Sequence, residues 1–230
     1  MKKLLFLLPL LVIISCDKTD TENSGDAQFN SRGCLECDNY TAGQSFLLDG
    51  IRYEVADVAM LRTAWITSGD DLTKYCTSKI VDMSGLFSGA YDFNQNISTW
   101  DVSNVTNMAA MFTNALDFNG DIGSWDVSNV TNMYQMFFDA RAFNKDIGSW
   151  DVSNVTDMAV MFEYASSFNQ NIGNWDVSNV ADMSRMFSSA SAFNQDLTQW
   201  CVSNFSSMPS NFSTSSALTL WNHPVWGTCP

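Results

Sequence analysis

The sequence predicts an α/β solenoid of about six 25-residue turns, closed by a cap at each end. Three observations carry this. Tryptophan stands at 100, 125, 150, 175 and 200, and methionine at 83, 108, 133, 158, 183 and 208. Phenylalanine keeps the same interval twice, at 87, 112, 137, 162, 187 and 212 and at 93, 118, 143, 168 and 193. Asp121–Met133 and Asp146–Met158 differ at a single position. A fixed period of this length marks stacked repeats, because one short unit cannot bury its apolar side alone.

The unit from Met108 to Asn132 shows the expected pieces. Met108, Met111, Phe112 and Ala115 have i, i+3, i+4, i+7 spacing, which predicts a short helical turn. Trp125 and Val127 flank Asp126 as inward residues flank an outward one, which predicts a short strand. Ser128-Asn129 suits a turn, since both side chains can bond nearby backbone. Asn94, Asn119, Asn144, Asn169 and Asn194 each follow the second Phe and are expected to bond the backbone of adjacent turns. Repeats of this kind run over residues 77–221.

Residues 34–76 are expected to cap the N-terminal end as a hairpin and a helix. Ser45–Leu48 and Arg52–Val55 flank Asp49-Gly50, a type I′ turn signal. Asp57 suits a helix N-cap, with Val58–Thr67 helical and Gly69 closing it. At the other end Phe205 replaces the repeat's Val, Pro209 interrupts, and Asn211 replaces the second Met. The tail, with Trp221 and Trp226, is expected to cover the last apolar face, residues 222–230 forming its end.

The segment 1–15 reads as an export signal. Lys2 and Lys3 precede an apolar run from Leu4 to Ile14, too short for a membrane span of about 20 residues. Ile13-Ile14-Ser15-Cys16 resembles a bacterial lipobox, which implies diacylation of Cys16 and cleavage before it. Loss of Lys2 and Lys3 would take the net charge from −14 to −16. Residues 16–33 are polar and acidic and read as a flexible tether. An acidic stretch after the acylated Cys resembles the surface-export signals of Bacteroidota lipoproteins. It implies a lipid-anchored protein exposed on the outer membrane.

Export permits disulfides among Cys34, Cys37, Cys76, Cys201 and Cys229. Cys201 stands where earlier units have Asp101, Asp126, Asp151 and Asp176, an outward position within reach of the tail. This predicts a Cys201–Cys229 bond. Among Cys34, Cys37 and Cys76, either Cys37–Cys76 or Cys34–Cys37 is open, with one thiol left over. Redox and zinc roles lack their usual context: no βαβ unit surrounds Cys34-x-x-Cys37, and the lone His223 lies far away.

Net charge of −14 and a pI near 4.1 disfavour nucleic acid and bare anionic lipid as partners. No phosphate loop, Gly-x-Ser-x-Gly or His-Glu-x-x-His occurs, and repeated acids argue against a single catalytic pair. The candidate binding stripe is Thr99, Asp101, Ser124, Asp126, Ser149, Asp151, Asn174 and Asp176, with Gln199 continuing its variable positions. On stacked strands about 4.8 Å apart the Asp residues would form a column. Neighbouring carboxylates would repel by roughly 0.9 kcal/mol even at a water-like dielectric. Two readings offset that: each Asp accepts hydrogen bonds from its own Ser-Asn turn, or the column gathers Ca²⁺ or a cationic ligand. No Asp-x-Asp-x-Asp-Gly loop supports dedicated calcium sites, and no other cofactor is expected.

A 25-residue unit falls in the leucine-rich-repeat range, and Ile122-x-x-Trp125-x-Val127-x-Asn129 nearly meets that pattern, with Asn one position early. The segments W-D-V-S-N-V-T-[ND]-M, M-F-x-x-A and F-N closely resemble the BspA-like repeat of bacterial and mycoplasma surface lipoproteins. The resemblance implies a leucine-rich-repeat-like fold and adhesion to matrix proteins. Three functions follow as expectations: a non-catalytic binding module for a protein or glycan at the cell surface, a structural part of an envelope complex, or a surface-glycan hydrolase. Diversified repeat faces favour the first, and near-identical faces favour the second.

Overall fold

The computed structural model describes residues 27–230. The signal segment and Cys16 lie outside the described residues. Strands β1 (Gln28–Phe29) and β2 (Leu35–Glu36) pair antiparallel. Strands β3 (Ser45–Leu48) and β4 (Ile51–Val55) form the expected hairpin, with Asp49 at φ 52° and Gly50 at φ 77°. Positive φ at both central residues is what so short a turn needs to follow the twist of its strands. Strand β5 (Tyr75–Cys76) joins β4 in parallel. The crossover runs through helix α1 (Val58–Thr63), whose N-cap Asp57 accepts from the Met60 N–H at 2.8 Å.

Helix α1 is shorter than the spacing predicts. From Ala64 to Ser68 the chain widens into a π turn, closed by Gly69 at φ 62°. Aromatic and β-branched residues such as Trp65 and Ile66 lose side-chain freedom in an α-helix, which weakens it here. Trp65 meets Phe93 edge to face with centroids 4.9 Å apart, so this segment covers the first repeat.

The tether expected to reach residue 33 gives way to folded chain at its C-terminal end. Gln28 and Phe29 pair as β1, Asn30 Oδ1 accepts from the Arg32 and Cys34 N–H groups, and Ala27 is buried. Polar composition alone misses this, because the pairing is with Leu35–Glu36. The small core of the cap comprises Ala27, Leu35, Cys37, Tyr40, Phe46, Tyr53, Val55 and Cys76.

The repeats stack in register. Asp82, Asn107, Asn132, Asp157 and Asp182 form a column of parallel bridges, one residue from each successive unit. Beside them Met83, Met108, Met133 and Met158 each donate a backbone N–H, at 2.9 Å, to the following unit. The ladder continues at alternate residues: Ala110 N to Tyr134 O, Phe112 N to Met136 O, and Asn114 N to Phe138 O.

Within the units the local structure departs from expectation. The Met-x-x-Met-Phe-x-x-Ala segment forms linked tight turns, such as Met111 N to Met108 O and Ala115 N to Phe112 O, and no helix. Ala110 and Asn114 have φ of 55° and 57°, and the corresponding residues of the other units are also positive. The left-handed residues stop a helix from propagating and turn alternate N–H groups toward the next unit. The side-chain spacing misleads because linked turns and a helix bury the same positions. The strand expected over Trp125–Val127 is also absent: these residues lie between two tight turns, Trp125 N to Ile122 O and Val130 N to Val127 O.

The long core is built from the columns. Phe87, Phe112, Phe137, Phe162 and Phe187 form one column, with centroids 5.5–5.7 Å apart between the second and fifth. Each lies over its unit's second Phe, as Phe112 does over Phe118 and Phe137 over Phe143. The columns break at the C-terminal end. Arg185 N bonds Ser210 O, whereas the equivalent Ala110 N bonds Tyr134 O, so the last step along the chain is longer by one position. The extra residue moves Met208 out of the core, where it is 48% exposed. Phe212 slides into the slot of the second Met and meets Phe187 edge to face. Trp226 covers the end, packing on Phe205 and Phe212, whereas Trp221 is 90% exposed and stands outside the cover.

Candidate functional site

Two surfaces of the stack carry polar chemistry, and they differ in kind. The first holds the predicted stripe. Asp126 Oδ1 accepts from the Ser128 N–H at 3.2 Å and its hydroxyl at 2.7 Å, and Asp151 does the same with Ser153. Asp101 and Asp176 accept from the N–H groups of Ser103 and Ser178. Each carboxylate thus closes a local turn. Burial pushes the Asp126 pKa up, but the Ser128 bonds and Arg32 together outweigh it and hold the group below the ordinary carboxylate range. At Asp176 the Ser178 bonds lead and lower the pKa against a smaller effect of burial. No group of three or more His, Cys, Asp and Glu positioned to hold a metal ion occurs among the described residues.

The upper part of that stripe is covered by the N-terminal segment. Leu35 pairs with Trp100, its N–H bonding the Thr99 carbonyl at 2.8 Å. Arg32 reaches across to form an ion pair with Asp126, and Asp101 is only 5% exposed. Ser124 and Ser149 direct their hydroxyls to the carbonyls of Ser98 and Gly123, one unit back. Ser149, Asp151, Asn174 and Asp176 remain exposed. The stripe is therefore split: Thr99, Asp101 and Asp126 adjoin the N-terminal segment, and the last four residues line open surface.

Cys37 and Cys76 form a disulfide, as do Cys201 and Cys229. The first resolves the alternatives that spacing left open, since Cys37 and Cys76 meet in the core of the cap. Cys34 is the thiol left over. It is buried, and desolvation, reinforced by Asp101, pushes its pKa up to about 11. His223 lies against Phe212 in the C-terminal cap, its Nε2 3.1 Å from the Ser213 hydroxyl, and burial lowers its pKa.

The second surface is the row of linked turns, where spacing predicts helix. Its positions outside the Met, Phe and Ala columns vary from unit to unit, some exposed and some, such as Val160, Glu163 and Ser188, buried. The column at Gly85 continues as Ala110, Gln135, Val160 and Arg185, and that at Ser88 as Thr113, Phe138, Glu163 and Ser188. The column at Gly89 continues as Asn114, Asp139, Tyr164 and Ser189. Large and charged side chains gather in the units beginning at Met133, Met158 and Met183. Phe138 meets Tyr164 edge to face at 5.7 Å. Arg185 donates from Nε and Nη2 to Glu163 Oε1 at 3.1 and 2.7 Å. That bond, strengthened by charge attraction, raises the Arg185 pKa, and Tyr164 and Tyr134 contribute in the same direction. Arg141 makes a two-pronged pair with Asp139 at 2.8 and 3.1 Å. The signal for this surface was legible in the sequence as departure from the repeat, but its outward orientation was not.

No curated protein and no solved structure matches the chain. A family model does, over residues 58–158 and again over 125–222, so the matches span most of the chain and overlap as tandem repeats do. The chain belongs to the repeat family described as "Mycoplasma protein of unknown function, DUF285".

Proposed function

We propose that this protein is the non-catalytic binding module of a BspA-like bacterial surface lipoprotein, anchored in the outer membrane through acylated Cys16. Its ligand would be a macromolecule met at the cell surface. The observation that carries the reading is the contrast between the two faces. Where at least two other units present Gly, Ala, Ser, Thr or Asn, the turn face holds Tyr134, Phe138, Arg141, Glu163, Tyr164 and Arg185. Exposed aromatic and Arg side chains contribute strongly at binding surfaces and weakly to the stability of a surface turn. No helix among the described residues is long and apolar enough to cross a membrane, so in this reading attachment rests on the lipid.

The near-uniform Asp face favours a second reading, in which that face packs against another envelope component. The test for both is protease shaving of intact cells, followed by an adhesion assay of a strain lacking the protein. Release of peptides from the turn face together with lost adhesion supports the binding module. Release with unchanged adhesion favours the structural role, and no release removes the surface location.

A further inference from the structure

The C-terminal end of the stack differs from the rest of the chain in charge. Residues 197–230, 34 in all, include no Asp, Glu, Lys or Arg, and elsewhere the longest such run is the 15 residues 102–116. The same segment exposes large apolar side chains: Leu220 is 84% exposed, Trp221 90%, Val225 62% and Met208 48%. Thr219 N–H donates to Asn194 Oδ1 at 3.0 Å, as Asn194 N–H does to Asn169 Oδ1, so the repeat register holds here. Leu220 and Trp221 therefore stand where the preceding unit has Gln195 and Asp196, and where the one before it has Gln170 and Asn171. The fold accepts polar residues at both places, so Leu and Trp are not there to complete the core.

The last turn row is also open. Arg185, Phe187 and Ser189 donate their N–H groups to the carbonyls of Ser210, Phe212 and Thr214. The N–H groups of Asn211, Ser213 and Ser215 meet no backbone acceptor among the described residues. Ser210, Asn211, Thr214 and Ser215 are exposed beside them.

Charge selects what covers this end. Copies of a chain of net charge −14 repel one another, and the uncharged end is where a second copy approaches with least repulsion. A twofold contact sets a patch against itself, so a charge near its centre would face its own like. Apolar groups, hydroxyls and amides meet no such conflict, because a hydroxyl or an amide both donates and accepts. Trp221 alone offers about 150–250 Å². With Leu220, Val225, Met208 and the hydroxyl row, the face reaches the scale of about 800 Å² per partner that a stable interface needs.

We propose that the C-terminal end is the interface of a twofold dimer of this chain, with Leu220, Trp221 and Val225 of each copy packed on the same residues of the other. The hydroxyl and amide side chains of the last row meet the open N–H groups across the axis. The dimer goes beyond the surface-module reading and stands or falls separately from it.

The test is sedimentation equilibrium of the full chain in density-matched detergent, beside Cys16→Ser, which removes association through an acyl chain. A monomer–dimer equilibrium is expected in both. Salt should tighten it, because screening relieves the repulsion between two acidic copies. Leu220→Asp and Trp221→Asp should each weaken it at least tenfold. Tyr91→Ser, an exposed position in the first unit, should leave it unchanged. The Asp variants alter exposed side chains, so circular dichroism should show the fold retained. A monomer at every concentration overturns the proposal, as does a dimer that both Asp variants retain. Binding of monomeric Cys16→Ser protein to phosphatidylcholine vesicles, lost in Trp221→Asp, would give this end to a lipid surface and overturns it as well.

Discussion

The indole Nε1 of Trp150 donates to the carbonyl oxygen of Ile122, in the unit before it, at 3.1 Å. Trp125, Trp175 and Trp200 repeat the bond to Ile97, Ile147 and Ile172, and Trp100 makes it to Leu72 of the cap. The column thus joins units as well as filling them. Replacing Trp150 by Phe keeps an aromatic ring but removes one of the two hydrogen bonds that the Ile122 carbonyl accepts, the other coming from the Trp125 N–H, a loss of about 0.5–1.5 kcal/mol. Trp150→Ala adds a cavity, for a total of about 3–5 kcal/mol. Urea unfolding of the two variants checks the order; an unchanged stability of Trp150→Phe would show that the indole N–H contributes nothing.

Asn144 accepts the Asn169 N–H on its Oδ1 at 2.9 Å and donates its own N–H to Asn119 Oδ1 at 3.0 Å. The Asn ladder thus hands one side-chain oxygen to each following backbone. Gln170 Nε2 bonds the same Oδ1 at 2.8 Å. Asn144→Ala leaves the Asn169 N–H dependent on water and should lower stability by about 1 kcal/mol. Asn144→Asp keeps the acceptor and should cost less. A larger loss for the Asp variant in the same unfolding assay would count against the ladder.

Asp157 differs from the carboxylates of the stripe: burial, with the nearby Asp182 charge, raises its pKa, although the Ala159 N–H at 2.9 Å opposes the shift. An acid whose folded pKa is raised destabilises the fold above that pKa, and the penalty disappears as pH falls through it. The same column carries Asn at 107 and 132. Asp157→Asn keeps the Oδ1 acceptor and removes the repulsion, so it should stabilise by about 0.5 kcal/mol at pH 7. The gain should shrink as pH falls through the raised folded pKa and be gone below the unfolded carboxylate value. Asp126 and Asp176 run oppositely: their folded pKa values are lowered, so their contribution is present above the unfolded value and is lost as pH falls through the folded one. Melting curves of wild type and Asp157→Asn between pH 3 and 7 read both effects.

Cys34 should be chemically silent in the folded protein. With its pKa pushed up to about 11 and its side chain buried, little thiolate exists at pH 8. Iodoacetamide should label it only after denaturation, as peptide mass mapping would show; rapid labelling of native protein would contradict its burial. The same map should recover Cys37–Cys76 and Cys201–Cys229 as linked peptides. Cys201→Ser with Cys229→Ser should lower stability by about 2–4 kcal/mol through release of the C-terminal cap.

The sequence by itself determined the unit length, the inward columns, the hairpin at Asp49-Gly50 and the pairing of Cys201 with Cys229. Those are legible because burial imposes strict spacing, and a tight turn with positive φ at both central positions admits few residue types. Only the tertiary structure decided the rest. Spacing of i, i+3, i+4, i+7 describes which side chains turn inward, and Met108–Ala115 meets it with linked turns because its N–H groups pair with the next unit rather than with their own. The fate of Met208 depended on one extra residue whose effect appears only in the pairing of Arg185 with Ser210. Arg32 looked like tether until Asp126, far along the chain, stood beside it. The ion pair at Glu163 was hidden for the same reason. Its partner Arg185 belongs to the next unit, and repeat spacing says what stacks without saying which side chains reach across.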